Sequence, residues 1–414
     1  MCTPSPTSRP ALLPLDDALE RLLAAVSPLP ASEAQAISTF DALGRVLARD
    51  VIAQVDVPPA DNSAMDGYAV RCADVLAAGA VLPVGQRIAA GQVAASLQPG
   101  TAARIFTGAP VPDGADAVVM QEQCEAVEGA VRIGIMPTPG LAVRRRGEDV
   151  RRESVVLPAG AKLTPQALGL AASVGAATLQ VVRRPRVALF STGDELAMPG
   201  EALKPGAIYN SNRFTLRALI EAMGADCTDL GIVPDRLDAT RDALRRAAEG
   251  HDLIITSGGV SVGEEDHLRP AVLAEGSLDL WHLAIKPGKP LAFGSVRRAG
   301  GGSVWFIGLP GNPVSSFVTF LLAARPVLRR LQGACAAMPT PLPIRADFDW
   351  PADRRREFLR VRRNAEGGLD LFPNQGSGVL TSAVWGDGLV DNPPQTAIRR
   401  GDTVRYVSFS EWLA

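Results

Sequence analysis

The sequence predicts an α/β multidomain chain built around a doubly wound α/β domain, and three observations lead there. From residue 186 onward, short apolar runs alternate with amphipathic stretches, the signature of βα units. Several of those runs end in Gly-rich or Pro-rich loops, as strands of a parallel sheet do where they open a ligand crevice. The length of 414 residues exceeds what one core of about 100–200 residues fills, so several domains are expected.

Taken in order, the segment LDDALERLLAAV (15–26) places Leu15, Leu19, Leu22, Leu23 and Val26 on one helical face, and residues 32–42 read as a second short helix. Between 51 and 150 the helical period fades. Short Val/Ile runs alternate with Gly and Pro there, as in VLPVGQRIAAGQVA and AVRIGIMPTPG, which predicts a β-rich unit. Helical character returns in LTPQALGLAASV (163–174), with Thr164 as cap and Pro165 as first helical residue, so the β-rich unit reads as an insertion into a helical one.

Strands are then expected at 187–190, 227–232, 253–256, 278–285, 291–294 and 304–307, and helices at 212–223, 237–248, up to about 274 and at 313–331. After Gly333 the segments LPIRADFDW, REFLRVRRN, GLDLFPN and DTVRYVSF read as strands of a small barrel or sandwich. The expected division is a disordered leader (1–10), a discontinuous helical linking domain (11–50 plus 151–183), a β-rich inserted domain (51–150), the α/β domain (184–332) and a C-terminal β-barrel-like domain (333–414).

Composition excludes several function classes. A net charge of -2 supplies no basic field for nucleic acid. No apolar run approaches the roughly 18 residues of a spanning helix, and the N-terminus lacks the charged start and apolar core of a signal peptide, so a cytoplasmic protein is expected. The 5 cysteines form no CxxC pair and only 3 histidines are present, which argues against a zinc site or a disulfide framework. A metal held here should be a hard ion ligated by oxygen.

Four loops combine backbone donors with charge. In LIITSGGVSVGEED (253–266) an apolar strand runs into Ser257, Gly258 and Gly259, then into Glu264, Glu265 and Asp266; those acids also suit simple capping of the next helix. RVALFSTGDEL (186–196) delivers Asp194 and Glu195 in the same way. WFIGLPGNPVSS (305–316) breaks at Pro310 and Gly311, with Asn312 placed as N-cap and Pro313 as first helical residue. IKPGKP sets Lys286 and Lys289 on a Pro-Gly turn, where the alternative is a pair of solvated charges. Together they suit a substrate carrying phosphate or another oxyanion, with a divalent cation.

A further segment, DVPPADNSAMDGYAV (56–70), carries Asp61, Asn62 and Asp66, which on their own also fit an Asx-rich turn. With the four loops above, this segment resembles the molybdopterin molybdenumtransferase family, whose eukaryotic relative is the E-domain of gephyrin. The resemblance spans about residues 10–410 and includes RIFTGAPVPDGADAVVMQE (104–122), VRRRGEDV (143–150), LGIVPD (230–235) and QGSG (375–378).

What the resemblance implies is a four-part, commonly homodimeric subunit that inserts molybdate into adenylylated molybdopterin and releases AMP, assisted by Mg²⁺. Matching active-site positions are Asp66, Thr107, Asp149, Glu195, Asp235, Asp266, Lys286, Lys289, Pro310, Pro313 and Ser377. Asp66 and Asp149 come from the β-rich segment, and the resemblance suggests that this segment of one subunit covers the partner's cleft. A molybdopterin adenylyltransferase and recipient molybdoenzymes are the expected protein partners.

The chemistry agrees with the resemblance. Two unit charges about 4 Å apart repel by roughly 4 kcal/mol at an effective dielectric near 20, so gathered anions need offsetting cations. Lys286 and Lys289 are the candidates for the oxoanion, the Gly258-Gly259 backbone for phosphate, and Glu195, Asp235 and Asp266 for Mg²⁺ or its waters. The run Arg144 to Arg146 could grip phosphate or form a solvated face.

Three positions depart from the family pattern: His282 stands where lysine is common, Asn210 where aspartate is usual and His267 where tyrosine is frequent. Two other readings compete. A molybdopterin adenylyltransferase would not require the DNSAMDGYAV segment or the C-terminal β module. A gephyrin-like scaffold without chemistry would not require this set of acids and lysines.

Overall fold

A computed structural model describes residues 12–259, 267–334 and 338–413, which pack as two compact units. One unit joins the chain up to Ala34 to the chain from Val182 onward; the other is Gln35–Val181. The expected leader at 1–10 lies outside the described residues.

The first unit is organised by a six-stranded sheet in the order Asp226–Val233, Arg186–Thr192, Leu253–Ser257, Ser303–Leu309, Pro290–Arg297, Gly276–His282. The first four strands run parallel and the last two are antiparallel additions. Successive side chains of a strand point to opposite faces, and here both faces are dry. Val187, Leu189, Leu253, Ile255 and Ile307 join one core with the helices Leu15–Ala25, Ser211–Ala222 and Pro313–Thr319. Ala188, Phe190, Ile254 and Phe306 join a second core with Leu237–Ala248 and Leu268–Glu275. Helices on both faces of a mainly parallel sheet leave the C-terminal strand ends free for ligand loops.

Helix Leu15–Ala25 buries Leu15, Ala18, Leu19 and Leu22, the face its period predicts. Each fully buried leucine contributes about 1.5–3 kcal/mol, and Leu22→Ala would cost about 2–5 kcal/mol through the cavity it leaves. The helix beginning at Pro313 widens into a fully buried π turn over Phe320–Ala324 and resumes as α-helix at Arg325–Leu331. Pro326 lies just beyond the turn and has no N–H to continue the α pattern, a recognised cause of such irregularity.

The C-terminal part of this unit is a second sheet, ordered Ile285–Lys286, Arg356–Arg363, Gly388–Asn392, Thr403–Ser408, Leu342–Arg345, with Leu369–Leu371 added to Arg356–Arg363. A bridge from Ala346 to Leu369 curls the far end back towards the start. The Gly388–Asn392 strand has no counterpart among the expected ones. It is buried on both faces, so it lacks the alternation that marked its neighbours.

The second unit carries a six-stranded sheet, Ala117–Met120, Gly67–Val70, Ala102–Ile105, Ala80–Ile88, Ala130–Ile133, Cys124–Val127. Beside it, two antiparallel strand pairs and helix Pro165–Ser173 enclose Leu47, Leu163, Ala171, Val174 and Val181. Thr164 caps that helix by accepting from Ala167 N–H, and Pro165 opens it, as expected.

Two expectations for the linking region fail. Residues 32–42 form no α-helix: a 3-10 turn at Ala31–Glu33 leads to a strand, Gln35–Ser38, and a second turn at Thr39–Asp41. The strand pairs with Thr178–Val181, setting Ile37 opposite Leu179. Ser38 accepts from Phe40 N–H, the local competition by which serine disfavours helix. The helix Leu15–Ala25 packs in the other unit, so a single helix remains in a region expected to be helical.

Candidate active site

Loops after Thr192, Ser257 and Leu309 meet at a cavity of about 490 Å³ lined by Glu195, Asn210, Asn212, Asp235, Ser257, Gly258, Gly259, Pro310, Gly311, Asn312 and Ser315. Eight residues selected from sequence therefore come together here. Pro313 opens the helix beside them, while Lys286, Lys289 and Ser377 are not among the lining residues. Asp266, with Glu264 and Glu265, lies outside the described residues.

Glycine is required where this cavity bends. Gly258 and Gly259 take φ of +90° and +64°, a left-handed pair that side chains disfavour. A Cβ at Gly258 would lie 2.9 Å from the Thr192 carbonyl oxygen, and one at Gly259 would lie 2.9 Å from Leu268 Cβ. Gly258 N–H donates to Leu309 O at 3.1 Å, so this N–H is already engaged and the expected pair of phosphate donors is reduced. Gly259 N–H has no acceptor among the described residues. Asn212 Nδ2 donates to Gly311 O at 2.7 Å and thereby fixes the facing loop.

The acidic side is held by its own backbone. A Cβ at Gly193 would sit 2.5 Å from Glu195 Oε2, so the carboxylate folds against that glycine. Asp235 N–H donates to Asp194 Oδ1 at 3.2 Å, tying the two acidic loops together. Among the described residues no lysine or arginine forms an ion pair with Glu195 or Asp235. Nor do three His, Cys, Asp or Glu side chains gather as a metal site among the described residues.

The two lysines differ. Lys286 was expected to meet an oxoanion, yet its Nζ lies 2.9 Å from Glu357 Oε1 and 3.3 Å from Asp353 Oδ2. It also sits 5.7 Å from the Trp350 ring centre. Burial opposes its charge, but the hydrogen bonds and charges of Glu357 and Asp353 prevail and raise its pKa. Lys289 forms no ion pair among the described residues, and its carbonyl accepts from Leu283 N–H at 2.7 Å. Burial first, and then the Lys289 charge, lower the pKa of His282, which favours the neutral imidazole.

Ser377 is set by a buried cation. Arg360, 1 % exposed, donates from Nε to Ser382 Oγ at 3.0 Å and from Nη2 to Gly376 O at 3.1 Å. Gln375 clamps the Arg360 backbone through both ends of its amide. The loop so formed presents Ser377 O to Val314 N–H at 2.9 Å, in the first turn of the helix that opens at Pro313.

In the second unit, Asp66 Oδ1 accepts from Thr107 N–H at 2.8 Å and Thr107 Oγ1 at 2.7 Å. Its pKa is lowered, chiefly by the Thr107 N–H. Asp149 is exposed, and its N–H donates to Val57 O at 3.0 Å. Within the run Arg144 to Arg146, Arg145 pairs with Asp61 at 2.7 Å and Arg146 with Asp56 at 2.6 Å, both arginines from exposed positions. Sequence reasoning missed Asn212 and Ser315 at the cavity, and Asp353, Glu357 and Arg360 behind the loops. The NSN at 210–212 was visible as a helix start, whereas the partners of Lys286 are about 70 residues away and leave no local signal.

Family models match residues 13–175 (MoeA N-terminal region, domain I and II), 188–330 (probable molybdopterin binding domain) and 343–409 (MoeA C-terminal region, domain IV). The molybdopterin molybdenumtransferase of Haemophilus influenzae is 42% identical over 323 residues, 78% of each chain. That of Synechococcus elongatus is 34% identical over 383 residues, 90% of this chain and 93% of its own. A crystal structure titled molybdopterin biosynthesis moeA protein, from Pyrococcus horikoshii OT3, superposes with a TM-score of 0.83 at 29% identity, covering 96% of this chain and 100% of that one. With three consecutive family models and relatives above 30% identity over most of the chain, the chain belongs to the molybdopterin molybdenumtransferase family, enzymes of molybdenum cofactor biosynthesis.

Proposed function

We propose that this enzyme transfers molybdenum from molybdate to adenylylated molybdopterin and releases AMP, with Mg²⁺ as cofactor. The observation that carries the reading is the cavity itself, which sets glycine-rich backbone opposite two carboxylates with no cationic partner among the described residues. A carboxylate beside a phosphate is repulsive unless a cation lies between them. The donor set fits Mg²⁺, a hard ion that takes one or two carboxylates and keeps several waters.

Glu195 and Asp235 would hold the cation, with Asp266 as a further candidate. When bound, Mg²⁺ supplies charge stabilisation to the departing phosphate. Gly259 N–H and Asn312 orient phosphate oxygens. Lys289 is the proposed cation for molybdate. Lys286 belongs with it as a charge already shared with Glu357 and Asp353, and Ser377 lies on the loop that Arg360 holds.

We also propose a cytoplasmic location; the roles of Asp66, Thr107 and Asp149 and the homodimer rest on the family resemblance. So do the adenylyltransferase and molybdoenzyme partners. Purified protein given adenylylated molybdopterin, Mg²⁺ and molybdate should release AMP only when molybdate is present. Release that needs no molybdate would reduce the activity to hydrolysis. Unchanged turnover in Asp66→Asn would remove that residue from the site.

A further inference from the structure

Asn210 and Asn212 both line the cavity, and their amides have different fates. Asn212 Nδ2 is committed to Gly311 O, so that side chain builds the wall. Asn210 stands just before helix Ser211–Ala222, and its Oδ1 accepts from Arg213 N–H at 3.1 Å. Asparagine is among the best residues for such a cap. The cap also settles the orientation of the amide, because only the oxygen accepts from an N–H. The NH₂ end must then point elsewhere. Asn210 is 2 % exposed, and its Nδ2 has no partner among the described residues.

A buried donor left without an acceptor carries its full desolvation penalty, and such groups in folded proteins are rare unless a ligand or ordered water completes them. The chemistry of the missing partner follows from the donor. An NH₂ group cannot ligate a cation, and the amide oxygen that could do so is spent on the cap. The partner must accept a hydrogen bond. In a cavity that already carries Glu195 and Asp235, a neutral donor at a helix N-terminus attracts an anionic oxygen without competing for the metal.

We propose that Asn210 is a ligand-binding residue of this cavity, donating from Nδ2 to a phosphate oxygen of the substrate and taking no part in holding the cation. The proposal rests on the reading that the cavity receives a phosphate-bearing substrate. It divides the cavity into a carboxylate side for the cation and an Asn210 side for the anion.

The test is calorimetric titration of the full chain with ADP as a diphosphate probe, in EDTA and again with Mg²⁺. Asn210→Asp keeps the cap and the shape but exchanges the donor for a negative acceptor. Asn210→Ser keeps a cap and removes the long donor. In EDTA both variants should bind ADP at least tenfold more weakly than wild type, with thermal midpoints close to it. Mg²⁺ should recover much of the loss in Asn210→Asp, where it can bridge carboxylate and phosphate, and none in Asn210→Ser. Wild-type affinity in both variants, with Gly258→Ala impaired, would overturn the proposal alone and leave ordered water as the partner of Nδ2. Failure of the wild-type protein to bind ADP under either condition would overturn the reading of the cavity, and the proposal with it.

Discussion

Acids in the two units of this chain live under opposite conditions. In the Gln35–Val181 unit, Asp56 accepts from Arg152 N–H and the Arg146 guanidinium, Asp61 from Arg146 N–H and the Arg145 guanidinium, and Asp66 from Thr107 twice. Those donors, backbone N–H groups first among the favourable ones, hold all three pKa values below the usual aspartate range. In the cavity of the other unit, Glu195 and Asp235 have neither a lysine nor an arginine partner among the described residues. The difference separates acids that shape loops from acids available to something that arrives from solution. Asp66 Oδ1 falls among the first kind, engaged in holding the Thr107 turn.

The contrast is most exposed to removal of charge. Glu195→Gln combined with Asp235→Asn should lower Mg²⁺-supported turnover by about 10² or more, the scale of losing positioned electrostatic groups. The thermal midpoint should hold or rise, because two like charges are relieved. Asp61→Asn should do the reverse, lowering the midpoint while the cavity still binds ADP. A double variant that melts early would show that the cavity acids are structural after all.

Backbone geometry comes next. Gly258→Ala places a side chain at φ +90° and 2.9 Å from the Thr192 carbonyl oxygen, for a loss of about 1–3 kcal/mol in denaturant unfolding and a marked loss of ADP affinity. Gly311→Ala meets only the Gly258 Cα at 3.8 Å and should be milder, which makes the pair an internal control.

The lysines sharpen the comparison further. Lys286→Ala leaves Glu357, 1 % exposed, without its cation and should cost about 1–3 kcal/mol of stability. Lys289→Ala should leave unfolding unchanged while weakening the molybdate dependence of AMP release. Equal stability in both variants would contradict the ion pairs assigned to Lys286.

The smallest effect is on pH. An acid whose folded pKa is depressed stabilises the native state above its unfolded value and loses that contribution as pH falls through the folded value. Asp56, Asp61 and Asp66 should therefore make the chain lose stability as pH falls below 3.8, and Asp61→Asn should flatten that slope in acid titrations followed by circular dichroism.

Much of this was legible in the chain itself. Alternating apolar runs such as VALF and LIIT predicted strands that proved buried on both faces, and Thr164-Pro165 and Asn312-Pro313 marked helix starts, because periodicity and capping are local properties. Glycine after a strand end announced the cavity for the same reason. Three things were not local. The partner of 35–38 lies at 178–181, so pairing across the unit overrode the helical reading. The charge of Lys286 was spent on Asp353 and Glu357, residues about 70 positions on. The NH₂ of Asn210 was left unpaired among the described residues, its oxygen having found the helix. Sequence by itself determined which residues carry charge, donors and turns; the tertiary structure decided which of those groups neutralise one another and which remain for a ligand, since hydrogen bonds and ion pairs form between neighbours in space.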